Sequence, residues 1–517
     1  MSINRFELKL ANYIQEKNGI DLEKTVQLFN KSSSSLRRNI SNINTYLPPN
    51  QQFIIKKEFI LNNLTYTDYL NFVNNLTLSN YMTSLTERNS IMLVYAFFNL
   101  SLNMSRLYDE LGISMTTKKK DSKNLTIFLK NKYLNTKIIR KKGIAIIGDE
   151  GKLRILIVSI LSPLLEINSE ENLISRFANT PVEKMIFAYY LSKAAKEIEE
   201  AKQLLNCFLE QHNLRLSYHC KKFLYIYISI SKYRERHNLR LEQQQDIDLK
   251  VNTYALLPNP IENEFLSILI CSLDFSTKMP PPIDEKLKEV TIAFIADIQK
   301  NIITKFYNYE VVFQSVYNYL YKSIIRNKYD YHFYDNKLED TQKQIPNLFS
   351  LVKETIPIIE ENYNTKFSYL QLSTLTLIFK NFINQNKLIG RNSKKIIVVT
   401  NSSIEKIDFF IVNLKSQVDI TLVDSININE LHLLQDLNYD MIITFSNRIS
   451  TLLAKNHYDY IKLDFYLTRE NIDLLFSLGF SSSKRKLLSD AFIEEISNKS
   501  KDEIKQLLVN NYSDYFL

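Results

Sequence analysis

Little in this chain is glycine: seven residues of 517, and there is no tryptophan at all. Cysteine is equally sparse. Cys207, Cys220 and Cys271 are isolated and odd in number. They have no metal-type spacing and fit buried thiols in a reducing, cytoplasmic setting. Long hydrophobic runs are missing too. The longest, Ile155 to Ile167, is broken by Ser159, Ser162, Pro163 and Glu166, too short and too polar to span a bilayer. The opening Met1-Ser2-Ile3-Asn4-Arg5-Phe6-Glu7 does not read as a signal peptide. No nuclease-like carboxylate cluster stands out, so the reading is of a protein that is not an enzyme, with no metal and no cofactor. What remains is 45% hydrophobic and 12% aromatic residues, ample for several folded cores.

Scarcity makes the surviving glycines informative. Gly143, Gly148 and Gly151 fall in one stretch behind Lys141-Lys142. Glycine is selected where the backbone needs positive φ or close approach, so the cluster predicts a tight turn in a short hairpin. The run before it, Thr136-Lys137-Ile138-Ile139-Arg140, is strand-like and basic. A short basic hairpin after a helix has the form of a wing that meets a nucleic-acid backbone.

Charge placement points the same way. Residues 1–160 carry 23 Lys and Arg against 12 Asp and Glu, while the remainder carries 42 against 44, so the chain's +9 resides in its N-terminal third. It is densest in 115–142, with ten basic residues and one acid, Asp121. Such asymmetry implies a polyanionic partner for that part, held by phosphate contacts of Lys and Arg.

Helical periodicity organises this third. Apolar residues recur at Phe6, Leu10 and Tyr13, at Leu22, Val26 and Phe29, and at Leu36, Ile40, Ile43 and Leu47, predicting three helices over 5–47. Ser33 or Ser34 is the expected N-cap of the third, and Pro48-Pro49 its stop. Its outer face is expected to carry Ser35, Arg37, Arg38, Ser41 and Asn42, which can meet phosphates or base edges. A second unit follows, with helices expected over 87–100, 104–111 and 115–133. Leu111-Gly112-Ile113-Ser114 is the turn between the last two, with Ser114 as N-cap. Thr116, Thr117, Lys118, Lys119, Lys120 and Lys123 open the final helix, which is expected to bury Leu125, Phe128 and Leu129. Lys137, Arg140, Lys141 and Lys142 form its wing. Helix, short glycine turn and helix is the arrangement that places the second helix in a major groove.

Residues 168–275 and 284–388 are helical in pattern, separated by a linker from Asp274 through Pro280-Pro281-Pro282. Tyr225 to Lys232 parallels Tyr319 to Arg326, which suggests a duplicated bundle. From residue 395 the pattern becomes βαβαβ: strands over 395–400, 418–423 and 440–444, helices over 404–414 and 428–437, then a helical tail over 468–517.

Leu111-Gly112-Ile113-Ser114, Thr117, Asp121 and above all the stretch Lys141 to Arg154 resemble the DNA-binding region of bacterial regulators that carry phosphotransferase regulation domains. The order of parts resembles the Mga/AtxA type of virulence regulator. The resemblance covers nearly the whole chain, with motif-level matches at 111–154 and 319–390. It implies a mainly α, multidomain protein. Its parts would be winged helix-turn-helix domains at 1–65 and 66–160, all-α regulation domains at 168–278 and 284–390, and an enzyme IIB-like α/β domain with a helical tail at 393–517. It further implies a transcriptional activator, double-stranded DNA as partner, a homodimer formed through the C-terminal domain, and contact with phosphocarrier proteins of the sugar phosphotransferase system. A switched activator of a carbohydrate operon and an RNA-binding antiterminator are the alternatives.

The chain departs from the family at its phosphorylation sites. Tyr225 and Tyr319 stand where a phosphorylatable histidine is frequent, and a second such position falls near Cys271 and near Ile378. His237, amid basic residues, is the histidine that aligns with a recurrent family position. His332 has no motif support, and His212 and His219 read as structural. The IIB-like strand ends Val399-Thr400-Asn401-Ser402-Ser403, without the cysteine or glycines of a phosphate loop. The role left for that domain is contact, with helices 404–414 and 428–437 as candidate faces.

Overall fold

The computed structural model describes residues 2–242, 247–276, 280–301, 309–333, 338–385, 394–478, 480, 482–483 and 500–505. Part of the expected linker (277–279) and most of the expected helical tail (484–499 and 506–517) lie outside the described residues. The chain is mainly α and multidomain. It falls into two compact units, Met1–Pro282 with Ile324–Phe333 and Ile428–Leu431, and Ile283–Ser323 with Tyr334–Asn427 and His432–Leu517.

The first unit opens with β1 (Ile3–Asn4), α1 (Arg5–Glu16), β2 (Ile20–Asp21), α2 (Leu22–Phe29), α3 (Ser33–Asn44), β3 (Ile54–Lys56) and β4 (Phe59–Leu61). The three helices are those the periodicity predicts, although α3 is capped by Ser32, whose hydroxyl accepts from the Ser35 amide at 3.3 Å. Strands β3 and β4 form an antiparallel hairpin joined by β2, in the order β2-β4-β3. Next come α4 (Tyr66–Asn74), β5 (Tyr81–Met82), α5 (Leu85–Asn99), α6 (Met104–Glu110), α7 (Met115–Lys130), β6 (Leu134–Ile139) and β7 (Gly143–Gly148). Parallel pairing of β1 with β5, Ile3 opposite Tyr81, stitches the two winged elements together.

Helix α8 (Glu150–Leu161), the small hairpin β8 (Leu165–Ile167) and β9 (Leu173–Ser175), α9 (Pro181–Gln211), α10 (Tyr218–Arg236) and α11 (Pro260–Cys271) complete the chain's first half. The second strand of this hairpin falls at the start of 168–275, a stretch whose pattern reads as helical. Asp274 and Phe275, which the neighbouring prolines place in a linker, are buried. The Asp274 carboxylate pairs with the Arg326 guanidinium at 2.9 Å, and Phe275 bridges to Leu216.

The second half holds α12 (Glu285–Lys300), α13 (Tyr309–Lys328), α14 (Thr341–Gln344), α15 (Pro346–Thr355), α16 (Pro357–Tyr363) and α17 (Tyr369–Gln385). Then follow β10 (Lys394–Val399), α18 (Ile404–Lys415), β11 (Ile420–Ile426), β12 (Met441–Thr444), α19 (Asn447–Lys455), β13 (Tyr460–Lys462) and α20 (Arg469–Ser477). The sheet is parallel in the order β11-β10-β12-β13. It extends the expected βαβαβ by α19 and β13. The segment Ile428–Gln435, expected as an α-helix, is a 3-10 helix. Helix α18 buries Ile407, Phe410, Ile411 and Leu414, and its cluster takes in Leu377 of α17 as well as sheet residues Ile396 and Val398. With neighbours on both sides, α18 is not a free dimer face, contrary to the sequence reading.

Candidate nucleic-acid interface

The second winged element is built around its turn. The Ile113 amide donates to the Tyr108 carbonyl at 2.9 Å and the Gly112 amide to that of Asp109 at 3.1 Å, the double bond of a Schellman ending. Gly112 sits at φ +63°, where the missing Cβ removes the strain. Ser114 then caps α7 by accepting from the Thr117 amide at 3.3 Å.

Helix α7 has a polar residue on its inner stripe. Asp121, Leu125 and Leu129 are buried at i, i+4, i+8, whereas Phe128 is half-exposed. Asp121 accepts from Arg88 Nε at 2.6 Å and from the Tyr108 hydroxyl at 2.7 Å. Burial alone lowers the Arg88 pKa, but the hydrogen bond and charge of Asp121 outweigh it and hold the guanidinium protonated. The one acid of the basic run is thus neutralised inside the domain and subtracts nothing from the surface.

The outer face of α7 carries Thr116, Lys119, Lys120, Lys123 and Lys130, all exposed. Thr117 is half-buried, its hydroxyl 3.0 Å from that of Ser114. Lys118 leans back, with Nζ 2.7 Å from the Ser105 hydroxyl on α6. Behind the helix, Lys137, Arg140, Lys141 and Lys142 are exposed on the wing. Residues 140–142 make the turn between Ile139 and Gly143, which face each other in the ladder. Only Gly143 of the glycine cluster belongs to this turn; Gly148 ends β7 and Gly151 lies in α8. A Cβ on Gly143 would stand 2.0 Å from the Leu102 carbonyl oxygen. That approach exists because Leu102 and Ile144 exchange backbone hydrogen bonds of 2.7 and 2.9 Å, adding a third strand-like edge to the wing.

In the first winged element the structure sorts the predicted residues differently. Arg37 and Arg38 are exposed and Ser35 half-exposed. Arg37 donates to the Lys57 carbonyl in the hairpin turn at 3.2 Å. Asn42 is buried, its amide donating to Glu7 Oε1 at 2.9 Å and to the Ser2 carbonyl at 3.3 Å. It therefore leaves the outer face and becomes a strut between α1 and α3. Asn44, unremarked in the sequence, clamps the wing to α3 by exchanging two 2.9 Å bonds with the backbone of Phe53. Between α3 and β3 lies a depression of about 490 Å³ lined by Arg37, Ser41, Asn44, Gln52 and Ile55. Sequence reasoning also passed over Lys56 and Lys57, which are exposed at this wing's turn. The Lys-Lys-Glu between Ile54-Ile55 and Phe59-Ile60-Leu61 was the available signal for a hairpin.

The histidine prediction meets a changed environment. His237 is exposed just past the end of α10, with Nδ1 2.8 Å from the Tyr233 carbonyl. A carbonyl only accepts, so Nδ1 carries the proton of the neutral ring and Nε2 is left as its acceptor nitrogen. The basic residues around it are already matched: Arg236 with Glu197 and Glu200, Lys232 with Glu200 at 3.0 Å, Arg234 with Glu150 at 2.7 Å. A helix C-terminus also disfavours added negative charge. Tyr225 and Tyr319 are both buried, and burial pushes the Tyr225 hydroxyl well above its usual range. Cys271 and Ile378 are buried as well. His332 is exposed; His212 packs against Phe208 and Tyr254, and His219 against Tyr218.

In the C-terminal domain the strand-to-helix loop runs from Thr400, buried and bonded through its amide to the Ile426 carbonyl at 3.0 Å, to Ser403 at the start of α18. Among the described residues there is no group of three or more His, Cys, Asp or Glu able to hold a metal, and no helix is long and apolar enough to cross a membrane.

Two family models match the chain. The Mga helix-turn-helix domain covers residues 72–161, which is the second winged element with α8, and the PRD domain covers residues 293–382, from within α12 into α17. No curated protein matches the chain. The two matches support a DNA-binding transcriptional regulator with an Mga-type helix-turn-helix domain and a phosphotransferase regulation domain.

Proposed function

We propose that this PRD-containing regulator activates virulence-type genes by gripping double-stranded DNA with both winged helices of a cytoplasmic homodimer. The observation that carries the reading is the face of α7 and its wing. Nearly all of its lysines and its arginine are exposed, and its one carboxylate is turned inward to Arg88. Such a surface supplies affinity through phosphate contacts and counterion release. The starts of α3 and α7 are the parts that reach into the groove. Titration of the full chain against duplex DNA over a series of salt concentrations tests it. Affinity should fall steeply with salt, and isotherms indifferent to salt would remove the basis of the reading.

Residues 168–278 are proposed as a first regulation domain beside the matched second one, and 393–517 as an enzyme IIB-like domain that serves as the dimer contact. Since α18 is covered, the interface is assigned to α20, where Leu474, Phe476 and, just after the helix, Leu478 are exposed. A symmetric contact would use this patch on both subunits. Sedimentation of the full chain carrying Leu474→Asp and Phe476→Asp should show a monomer; an unchanged dimer would place the interface elsewhere.

A further inference from the structure

We propose that Ile138 is an apolar wedge that the second wing inserts between base pairs of the DNA it grips, kinking the duplex. The inference rests on the DNA-binding reading and specifies how that surface acts. Ile138 is 83% exposed, the highest value of any large hydrophobic side chain among the described residues. A side chain of that kind, held in water by an ordered strand, asks for an occupant. Its surroundings say which one. It lies in β6 next to exposed Lys137, and Arg140, Lys141 and Lys142 form the turn just beyond. A cationic frame of that density repels a cationic protein surface and suits a phosphate backbone.

The position is also a rigid one. Ile138 faces Ile144 in the β6–β7 ladder, and Ile144 is locked on its other side to the Leu102 backbone. Thr136, two residues earlier and so on the same strand face, has its hydroxyl 3.5 Å from that of Thr126 on α7. The strand that presents Ile138 is therefore tied to the groove-probing helix itself. The first wing repeats the combination independently: Ile54 and Phe59, each 43% exposed, flank exposed Lys56 and Lys57. Apolar side chains framed by Lys and Arg are the means by which bending proteins unstack a base step, and pyrimidine–purine steps such as TA yield most easily. A wedge also accounts for a surface rich in lysine and poor in side chains that read bases bidentately: the sequence is sensed through its deformability.

The test uses the full chain and a short AT-rich duplex containing TA steps. One TA adenine is replaced by 2-aminopurine, and the ends carry a fluorescence energy-transfer pair. Wild-type protein should brighten the 2-aminopurine and shorten the end-to-end distance. Ile138→Ala should bind more weakly and lose both signals while keeping the salt slope, because no charge is removed; Ile138→Leu should restore them. Lys141→Ala with Lys142→Ala should make the slope shallower by about 2 and keep the brightening at saturation. Brightening and shortening undiminished in Ile138→Ala would overturn the wedge, as would wild-type binding with neither signal. Full DNA signals in Ile138→Ala with loss of transcription activation would also overturn it and pass the residue to a protein contact. Absence of any duplex binding by the wild type would bring down the DNA-binding reading as well, so the two failures are told apart.

Discussion

The two winged elements solve one packing problem with different chemistry. In each, the helix proposed to meet DNA buries a polar residue against the helices behind it. In α3 that residue is the neutral Asn42, held by Glu7 and the Ser2 carbonyl; in α7 it is the charged Asp121, held by Arg88 and Tyr108. The charged strut leaves more at stake, because a guanidinium stripped of its partner stays in a poorly solvated site. The charged strut also belongs to the element with the denser basic surface. Turning the one acid of 115–142 inward keeps the face of α7 and its wing free of negative charge.

Removing the two struts gives the largest expected difference between the elements. Asp121→Ala should destabilise the second by about 3–5 kcal/mol, while Asn42→Ala should cost the first about 1–2 kcal/mol. Hydrogen exchange on α7 and α3, measured on the full chain, reads each locally. Equal losses would mean that Arg88 finds another partner and that the contrast is one of composition only. The next effect lies in salt dependence. Replacing Lys119, Lys120 and Lys123 with Ala should lower the slope of log affinity against log salt by about 3, and replacing Arg37 and Arg38 by at most about 2. A larger drop from the arginines would make the first element the main anchor.

The smallest expected effect concerns His237, the proposed phosphorylation residue. The residue is exposed, but the neighbouring cations are taken up by Glu150, Glu197 and Glu200. Incubation with phosphocarrier proteins and a labelled donor should give weak labelling that disappears in His237→Ala. Persistence of label in that variant would assign it to another side chain.

Much of this architecture was legible in the sequence because it depends on local chemistry. The three helices of 5–47, the Gly112 turn, the Ser114 cap and the basic hairpin follow from periodicity, positive φ and charge run. The continuous apolar run at Ile396 to Val399 marked a parallel strand, because a strand covered on both faces needs no alternation. These are properties of neighbours along the chain. The hairpin at 165–175, α19 and β13 were missed, and the 3-10 helix at 428–435 was read as an α-helix. Each is short, and short elements are set by what they pack on rather than by their own pattern.

Tertiary structure alone decided which way polar residues face. Asn42 and Asp121 sit among surface-type neighbours in sequence, and only the positions of α1 and of Arg88 turn them inward. The motif at 141–154 separates in the same way: Lys141 and Lys142 remain outside, whereas Arg154 is fully buried, donating to Glu262 Oε1 at 2.9 Å on α11. His237 kept its basic sequence context and lost its unbalanced charge, because Glu197 and Glu200 come from α9, nearly forty residues earlier. The sequence by itself determined that one third of this protein is built for a polyanion. Which cations stay unpaired to meet it depended on carboxylates brought in from elsewhere in the chain, since a charge is cancelled by what lies within a few ångströms in space, whatever its distance in sequence.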